Sequence, residues 1–219
     1  MADVRNAPRT TPHAPTSPIA VEANGVLRTP RLLLRPLTER DRDAYLSLVR
    51  ANQSELEGRI PLCEPGEGDD AFFERQLEAC QAGDSGRGCC RRVAELACET
   101  EKGGPGTLVG CVNLNSIQRG LAWEADAAWW VGSDFTGLGL ATEGVRAMLG
   151  YAFETMPAGL GLHGVHCGIE ATNAASIRIA EKCGFEHRPG AQSYLKVGER
   201  WVMHEFYMAT PESAVARSA

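Results

Sequence analysis

The spacing of apolar residues predicts a strand followed by two helices near the start of the chain. A short apolar run between Arg31 and Arg35 is typical of a buried strand. Thr38 is followed three residues later by Asp41, a spacing that caps helix N-termini, and apolar residues then recur at helical intervals. A second helix is expected over about 69–83, where the apolar residues again repeat at helical spacing and end before a glycine.

The middle and the end of the chain alternate between strand and helix periods. Three strand-like stretches are separated by turn signals and predict an antiparallel meander. After Gly139 the period becomes that of a helix, and Asn173 is placed to cap another one. The expected elements are strands at about 90–98, 107–117 and 123–131, a helix at about 141–155, a strand at 162–170, a helix between 173 and 184, and strands at 187–196 and 199–208.

These elements define the expected fold class and domain. Their order is β-α-α-β-β-β-α-β-α-β-β, which predicts an α/β (α+β) fold with a mixed central sheet of about seven strands and helices on both faces. Residues 25–209 are expected to form a single domain. The flanking segments 1–24 and 210–219 lack apolar periodicity and are expected to be flexible tails.

The charge balance limits the classes of partner. The 219-residue chain carries 22 Lys and Arg against 28 Asp and Glu, a formal charge of -6. That balance gives little support to phosphate neutralisation on nucleic acid, whereas a basic or cationic partner fits it better. No apolar run reaches the roughly 20 residues that span a bilayer, and the start lacks the apolar segment of a signal peptide. The sequence therefore predicts a cytoplasmic protein that binds neither nucleic acid nor membrane.

The eight cysteines predict core residues rather than a metal or disulfide framework. They contain no Cys-x-x-Cys pair and no zinc-site spacing, so we expect reduced thiols and no metal. Cys89 and Cys90 are adjacent, but neighbouring side chains on a strand point to opposite faces, which disfavours a redox pair.

Two glycines stand between a predicted strand and a predicted helix, in the segment 133–142. Gly137 and Gly139 let the backbone approach a ligand closely, and the free N–H groups at a helix start favour phosphate. The segment lacks the lysine of a loop that binds nucleoside triphosphates. Thr142 stands where the dinucleotide-binding motif needs a third glycine. Alone, this pattern predicts either a phosphate-binding loop or a plain turn into a helix.

A second segment, 173–185, occupies the next strand-to-helix junction. The two segments together resemble the GNAT superfamily of N-acetyltransferases, and in particular the Rim-type branch that acetylates the N-termini of ribosomal proteins. The resemblance spans about 27–208 and is most specific over 106–190. Further matching segments are Leu27-Arg-Thr-Pro-Arg31-Leu-Leu-Leu-Arg35-Pro, Ala51-Asn-Gln-Ser-Glu-Leu, Leu108-Val-Gly110 and Ala128-Trp-Trp-Val-Gly132.

The resemblance implies acetyl-coenzyme A (acetyl-CoA) as the co-substrate. In the family, backbone N–H groups of the glycine loop bind the pyrophosphate, and the pantetheine arm lies beside the strand at Trp130 and Val131. Asn173 matches the asparagine beside the pantetheine, and Ser176 stands where Rim-type enzymes place a serine near the leaving thiol. The residues that inherit a contact with the co-substrate are Trp130, Val131, Leu138, Gly139, Leu140, Ala141, Thr142, Asn173 and Ser176.

Some positions depart from the family's usual residues. Thr136 and Leu138 stand where the loop often carries Gln or Arg, so we expect a higher KM for acetyl-CoA. Ala180 stands where many members have Tyr, and Ser193 stands where some Rim-type enzymes have a Glu base. These departures leave open a non-catalytic sensor of acyl-CoA, although the asparagine and serine retained in segment 173–185 argue against it.

The predicted catalytic residues are Asp126, Glu124 and Ser176. The two carboxylates are two residues apart on a strand and share one face. Asp126 aligns with a glutamate common in the family and is chosen as base or water-positioning residue, with a solvent-facing carboxylate or a structural ion pair as the alternative. A thiol with a pKa of about 8.5 leaves readily, so a hydrogen bond from Ser176 to sulfur suffices, unless that serine only faces solvent. His163 and His166 are left out because they are expected to face opposite sides of a strand.

The predicted acceptor is an N-terminal α-amine of a protein or peptide. Such an amine has a pKa of about 7.7 to 8.0, whereas neutralising a lysine requires about 3 to 4 kcal/mol more. A small-molecule amine, such as a polyamine or an aminoglycoside-like antibiotic, is the alternative. The segment 64–70 carries four acids and no base, and it either attracts a cationic acceptor or is a solvated loop. The resemblance also makes a homodimer plausible.

Overall fold

The computed structural model of the chain describes residues 20–21, 25–60, 62–64, 66–82 and 88–216. Its strands are β1 (Ala20–Val21), β2 (Leu27–Arg28), β3 (Leu32–Arg35), β4 (Gly88–Leu96), β5 (Leu108–Gln118), β6 (Glu124–Val131), β7 (Gly164–Glu170), β8 (Glu186–Val197) and β9 (Arg200–Ala209). Its helices are α1 (Arg42–Ala51), α2 (Gln53–Glu57), α3 (Asp69–Ala82), α4 (Leu140–Phe153), α5 (Ala174–Lys182) and α6 (Pro211–Ala216).

The described strands form one mixed sheet in the order β1-β2-β3-β4-β5-β6-β7-β9-β8. β6 and β7 run parallel, and the other neighbouring pairs are antiparallel. The expected mixed sheet with helices on both faces is confirmed. The described ranges contain nine strands rather than about seven, because β1 and β2 add two short strands at one edge.

Alternation along the central strands divides the core into two layers. Cys111 of β5 lies opposite Trp130 of β6, and both join the apolar cluster under α1 and α3. Val112 lies opposite Trp129, and both join the cluster under α4 and α5. Burying one Leu, Val or Met side chain stabilises the fold by about 1.5–3 kcal/mol, so the two clusters hold a helical layer on each face.

The helix predicted after Thr38 begins as expected from its capping residues. The backbone N–H and the hydroxyl of Thr38 both donate to Asp41 Oδ2, at 2.8 and 2.7 Å. A 3-10 turn over Glu39–Asp41 leads directly into α1. The five-residue helix α2 lacks an apolar repeat long enough to be read from the sequence, and it was not predicted.

Both expected tails contain ordered elements. In the segment 1–24, Ala20 and Val21 pair with β2, while residues 1–19 and 22–24 lie outside the described residues. In the segment 210–219, α6 packs against α4, with Ala214 against the core. A side chain at Gly184 would overlap the carbonyl oxygen of Ser213, so this glycine permits the close approach of α6. The helix over Pro211–Ala216 was not expected from the sequence, because fewer than two helical turns leave too short an apolar pattern to recognise.

Two further findings concern the expectations from composition. Within the described ranges, no helix combines the length and the apolar character required to cross a bilayer. The eight cysteines are free thiols, and five of them are buried. Burial raises the pKa of the Cys80 and Cys111 thiols above the ordinary value, as expected for residues that pack in the core.

An ion-pair cluster beside α1 predicts how stability depends on pH. Arg35 donates to both oxygens of Asp41 at 2.7 Å and to Glu95 at 2.6 Å. Burial alone would raise the pKa of Asp41, but the hydrogen bonds from Arg35 and Thr38 lower it below its usual value. A lowered pKa gives stability that is fully present above pH 4–5 and is lost as the pH falls further.

We therefore expect Asp41→Asn to lower the free energy of unfolding at pH 7 by about 3 kcal/mol, because it removes the carboxylate that Arg35 contacts through two hydrogen bonds. The difference between wild type and variant should shrink as the pH falls from 5 to 3, because the pKa of Asp41 is lowered in the folded state. Urea unfolding at both pH values measures this. A difference that stays constant with pH would show that the carboxylate charge of Asp41 does not stabilise the fold.

Candidate active site

The strands β6 and β7 separate in the middle of the sheet. Their parallel pairing ends at Asp126 and His166 within the described residues, and β6 continues to Val131. The N–H of Gly132 donates to Val109 on β5 at 2.9 Å. Successive residues of a strand direct their backbone N–H and C=O groups to opposite sides. The backbone groups of Trp129 and Val131 therefore point away from β5, into the gap. The gap therefore presents unpaired strand hydrogen-bonding groups to any extended molecule that lies in it.

The glycine loop ends at the N-terminus of α4, next to this gap. Gly137 and Gly139 have φ angles of 80° and 77°, in the left-handed region that favours glycine. Gly139 accepts from the N–H of Glu143, so the N–H groups of the first helical turn have no intrahelical partner. These N–H groups and the positive end of the helix dipole form a site for a phosphate.

Arg31 holds the loop from behind. Its Nη1 donates to the carbonyl oxygen of Leu138 at 2.8 Å, and its Nε donates to Glu143 Oε2 at 2.7 Å. The other oxygen of Glu143 accepts from the hydroxyl of Thr29 at 2.6 Å and from the backbone N–H of Arg31 at 2.9 Å. The β2–β3 connection therefore fixes both the loop and the first turn of α4.

We expect Arg31→Gln to weaken the binding of coenzyme A about tenfold, because the loop loses a charged hydrogen bond and an ion pair that set its backbone. Isothermal titration with coenzyme A measures this, with the exposed Arg40→Gln as the matched loss of one arginine. If the two variants bind coenzyme A equally well, Arg31 does not position the loop.

Asn52 joins the helical layer to the start of the same loop. Its Nδ2 donates to the carbonyl oxygen of Leu48 at 2.8 Å, and its Oδ1 accepts from the N–H of Ser133 at 2.7 Å. The side chain is buried, so both bonds form away from water. Asn52 therefore ties α1 to the start of the glycine loop, a structural role that the sequence alone did not reveal.

Helix α5 forms the opposite wall. Asn173 caps it, since its Oδ1 accepts from the N–H of Ser176 at 3.1 Å. Within the described residues, neither the Nδ2 of Asn173 nor the hydroxyl of Ser176 has a hydrogen-bond partner. Both residues line the cleft, so both groups are available to a bound molecule.

These walls enclose a cleft of about 450 Å³. Its lining carries three basic side chains, Arg59, Arg178 and Lys182, against one acid, Glu55. Trp129 and Trp130 also line it, and the indole N–H of each is buried without a partner in the described part of the chain. An elongated anionic molecule with polar groups along its length fits this lining, and coenzyme A is such a molecule.

The structure brings most of the sequence-predicted co-substrate residues together. Leu138 is the exception, because its carbonyl oxygen is bound by Arg31 and its side chain packs against the core instead of lining the cleft. The predicted residues that line the cleft are Trp130, Val131, Gly139, Leu140, Ala141, Thr142, Asn173 and Ser176.

The two predicted carboxylates lie outside the cleft lining, at the point where the strands separate. Asp126 is exposed, and its register opposite Asn115 places it on the same face of the sheet as Trp130. Glu124 Oε2 lies 3.2 Å from His166 Nε2. This contact was not predicted, since the parallel register of β6 and β7 cannot be read from either strand alone.

Several functional candidates were missed by the sequence reasoning. The α5 bases Arg178 and Lys182 lie four residues apart on the face that lines the cleft. That spacing is a helical signal that the sequence shows. The two side chains bring positive charge to the cleft, which Thr136 and Leu138 do not. Arg31 carried no such signal, because its partner Glu143 is 112 residues away.

Three of the four carboxylates in the acidic segment 64–70 pair closely with arginines. Arg75 contacts Glu67 at 2.6 Å, and this hydrogen-bonded pair lowers the pKa of Glu67 to about 2. Asp69 pairs with Arg50, and Asp70 pairs with Arg42. Because these acids have arginine partners, the segment gives little support to a cationic acceptor.

The described residues also contain no group of three or more His, Cys, Asp or Glu side chains arranged to hold a metal ion.

Comparison with known proteins identifies the family. The profile of the acetyltransferase (GNAT) domain matches residues 31–186, so the chain belongs to the GNAT acetyltransferase family. The chain is 32% identical over 98 residues to the probable N-acetyltransferase YjcK of Bacillus subtilis (strain 168), a match that covers 45% of this chain and 52% of that protein. The chain therefore spans about half the length of this curated relative.

Solved structures confirm the GNAT fold. Mycobacterium smegmatis RimJ, solved with CoA-disulfide, superposes with a TM-score of 0.71 at 24% identity, over 85% of this chain and 87% of that one. The spermidine N-acetyltransferase from Vibrio cholerae, solved with CoA and spermine, gives 0.66 at 20% identity, over 85% and 99%. The presence of RimJ among the similar structures agrees with the Rim-type resemblance of the sequence.

Proposed function

We propose that the protein transfers an acetyl group from acetyl-CoA to a primary amine, and that this amine is the N-terminal α-amine of a protein or peptide. The observation that carries the proposal is the single cleft in which the gap beside β6, the start of α4 and the pair Asn173 and Ser176 meet. Family membership supports the same chemistry. Solved relatives named as complexes with CoA or acetyl-CoA support the co-substrate.

The lining residues match the parts of acetyl-CoA. The free N–H groups of Leu140, Ala141 and Thr142 bind the pyrophosphate at the positive end of α4. Arg178 and Lys182 on α5 lie at the same cleft and attract phosphate charge. The backbone of β6 at Val131 pairs with the amides of the pantetheine arm. When bound, acetyl-CoA supplies an activated thioester.

The residues at the gap then assist direct attack on the thioester. The amine nitrogen bonds to the acetyl carbon, the carbon–sulfur bond breaks, and the electron pair leaves on sulfur. Ser176 on the α5 side donates a hydrogen bond to that sulfur, whose thiol pKa of about 8.5 makes it a fair leaving group. Asp126, on the opposite face of the sheet, takes the proton from the amine directly or through water. Glu124 is less available as a base because it contacts His166.

The acceptor class follows from the modest base. An α-amine is already partly neutral at pH 7, whereas a lysine needs about 3 to 4 kcal/mol more. Among the described residues, the carboxylates at the gap are the exposed Asp126 and the half-buried Glu124, so neither is a fully buried base. A polyamine is the second candidate, and the similar structure named as a spermidine acetyltransferase is the observation that favours it. The arginine partners of the acidic segment weigh against that candidate.

The test measures free thiol released from acetyl-CoA in the presence of different amines. The panel contains peptides with free N-termini, the same peptides with blocked N-termini and one lysine, spermidine, and an aminoglycoside. Turnover on free N-termini that disappears when they are blocked supports the proposal, and mass spectrometry locates the acetyl group. Turnover on spermidine alone favours the second candidate. Tight binding of acetyl-CoA without turnover on any amine favours the sensor.

A further inference from the structure

A second cavity, of about 160 Å³, lies on the α1/α3 face of the sheet. It shares Ile60 and Trp130 with the co-substrate cleft, so the two spaces meet at these residues. Pockets that hold whole small molecules begin at roughly 300 Å³, so this one is sized for a single group of a larger acceptor. Its place, on the same face as Asp126 and opposite α5, is the side from which an amine would reach the thioester.

The polar lining of this cavity is basic and amide-rich. It contains Arg75, Arg91 and Arg92 together with Gln76, Asn113 and Asn115, and none of its lining residues is acidic.

Arg91 is the arginine of this lining that is available to a ligand. Arg75 is paired with Glu67, and Arg92 is fully buried, with its guanidinium bonded to the carbonyl oxygens of Gly25 and Arg91. Arg91 donates to Asn115 Oδ1 at 3.3 Å and to Gln76 Oε1 at 3.2 Å, both of which are neutral acceptors. Among the described residues it has no carboxylate partner. A partly exposed guanidinium held by two long, neutral hydrogen bonds is ready to accept an anion in a two-pronged contact.

A second observation points to the same kind of ligand. The indole N–H of Trp130 is buried and has no hydrogen-bond partner within the described residues. It belongs to a side chain that lines the cavity, so an oxygen of a bound group would satisfy it. Arg91 and Trp130 both offer donors, and neither has a negatively charged partner.

The strand register places the two donors a short distance apart. Arg91 lies opposite Asn113, which lies opposite Ala128, and Trp130 follows two residues later on the same face. Strand spacing and rise put the Cα atoms of Arg91 and Trp130 roughly 12 Å apart. An extended arginine side chain covers about half of that distance. A carboxylate bound to Arg91 can therefore belong to an acceptor residue one or two positions from the amine at the gap.

We propose that this cavity is an acceptor subsite for an anionic group, a carboxylate that the acceptor carries within two residues of its reacting amine. The proposal rests on the acetyltransferase function proposed above and specifies its substrate class. The carboxylate binds the guanidinium of Arg91, and the indole N–H of Trp130 donates to a neighbouring oxygen of the acceptor. An acidic side chain near the N-terminus and the α-carboxylate of a free amino acid are two sources of this group.

The test compares peptides that differ only at the second residue, which is Glu, Gln or Lys. We expect kcat/KM for the Glu peptide to exceed that for the Lys peptide at least tenfold, and Arg91→Gln to remove that preference. Free glutamate, set beside the Glu peptide with an amidated C-terminus, distinguishes the two sources of the carboxylate. Arg200→Gln is the control, because Arg200 is exposed and lines neither cavity.

A near-isosteric variant keeps the test independent of folding. In Asn115→Asp the new carboxylate faces Nε of Arg91 and neutralises it without a change in side-chain volume. This variant should lose the preference for the Glu peptide over the Lys peptide. An unchanged preference for Glu in either variant would overturn the proposal.

A binding measurement separates this proposal from the proposed function. Quenching of tryptophan fluorescence by the peptides in the presence of coenzyme A reports occupancy near Trp130 without turnover. If no amine is acetylated but the Glu peptide still binds at least tenfold more tightly than the Lys peptide, and Arg91→Gln removes the difference, the subsite stands and the transfer reaction does not. If the peptides are acetylated without regard to the second residue, the reaction stands and the subsite does not.

Discussion

Replacing Ser176 with alanine is expected to lower kcat by about tenfold to a hundredfold while the KM for acetyl-CoA changes by less than about threefold. The hydroxyl of Ser176 lines the cleft and has no hydrogen-bond partner among the described residues, so a leaving sulfur is free to accept its proton. Such a bond strengthens as negative charge develops, which places its effect in kcat. Removing one donor from an oxyanion hole costs about 10²–10³, and a thiolate with a pKa of about 8.5 demands less.

Two control variants separate chemistry from architecture. Ser176→Thr keeps the hydroxyl and should recover most of kcat. Asn173→Ala removes the cap of α5, and it should weaken coenzyme A binding and lower stability by about 1 kcal/mol. A Ser176→Ala variant that loses affinity for acetyl-CoA but keeps kcat would assign the serine to binding. Equal activity of the Ala and Thr variants would contradict a role for the hydroxyl.

Local patterns in the sequence were enough to place most elements around the site. The cap of α1 by Thr38 and Asp41 and the cap of α5 by Asn173 each act within three residues, so their spacing is visible in the chain. The two positive φ angles at the glycine loop likewise belong to residues that specify them. These elements position both walls of the cleft, whereas the candidate co-substrate residues themselves were implied by the resemblance to the GNAT family.

Contacts between distant segments could not be predicted from the sequence. Arg31 and Glu143 were each visible as charged residues, but nothing near either one indicates the other. The same is true of Glu124 and His166, which meet only because β6 and β7 run parallel in one register. The pattern predicted that two carboxylates share a face, and the register then decided that one of them has a histidine neighbour.

A charge pattern in the sequence shows which residues are charged but not which partners they have in the fold. The segment 64–70 contains acids without a base, which left open either a cationic acceptor or a solvated loop. The bases that neutralise it come from α1 and α3, at Arg42, Arg50 and Arg75. In contrast, Arg91 lies on a mainly apolar strand and gave no signal, although in the fold its side chain donates to two neutral acceptors in the second cavity. The charge that these surfaces present therefore depends on contacts that the sequence pattern does not show.

Gly110→Ala is expected to destabilise the protein by about 3 kcal/mol and to weaken coenzyme A binding at the same time. A Cβ at this position of β5 would overlap the carbonyl oxygen of Trp130 and lie 2.8 Å from the Cα of Val131. Both contacts are with backbone, so neither can be relieved by a change of rotamer. Relief requires β6 to move where it borders the gap, which displaces the groups that would pair with the pantetheine arm.

Gly164→Ala is the matched control, since it also adds one methyl group to a strand of the same sheet. Its closest contact is the terminal methyl of Met208, which a flexible side chain can move, so it should cost less than about 1 kcal/mol and leave coenzyme A binding unchanged. Urea unfolding and calorimetric titration of both variants compare the two positions. If Gly110→Ala loses stability but keeps full affinity, β6 is held in place by other contacts and the gap does not depend on the close approach of β5.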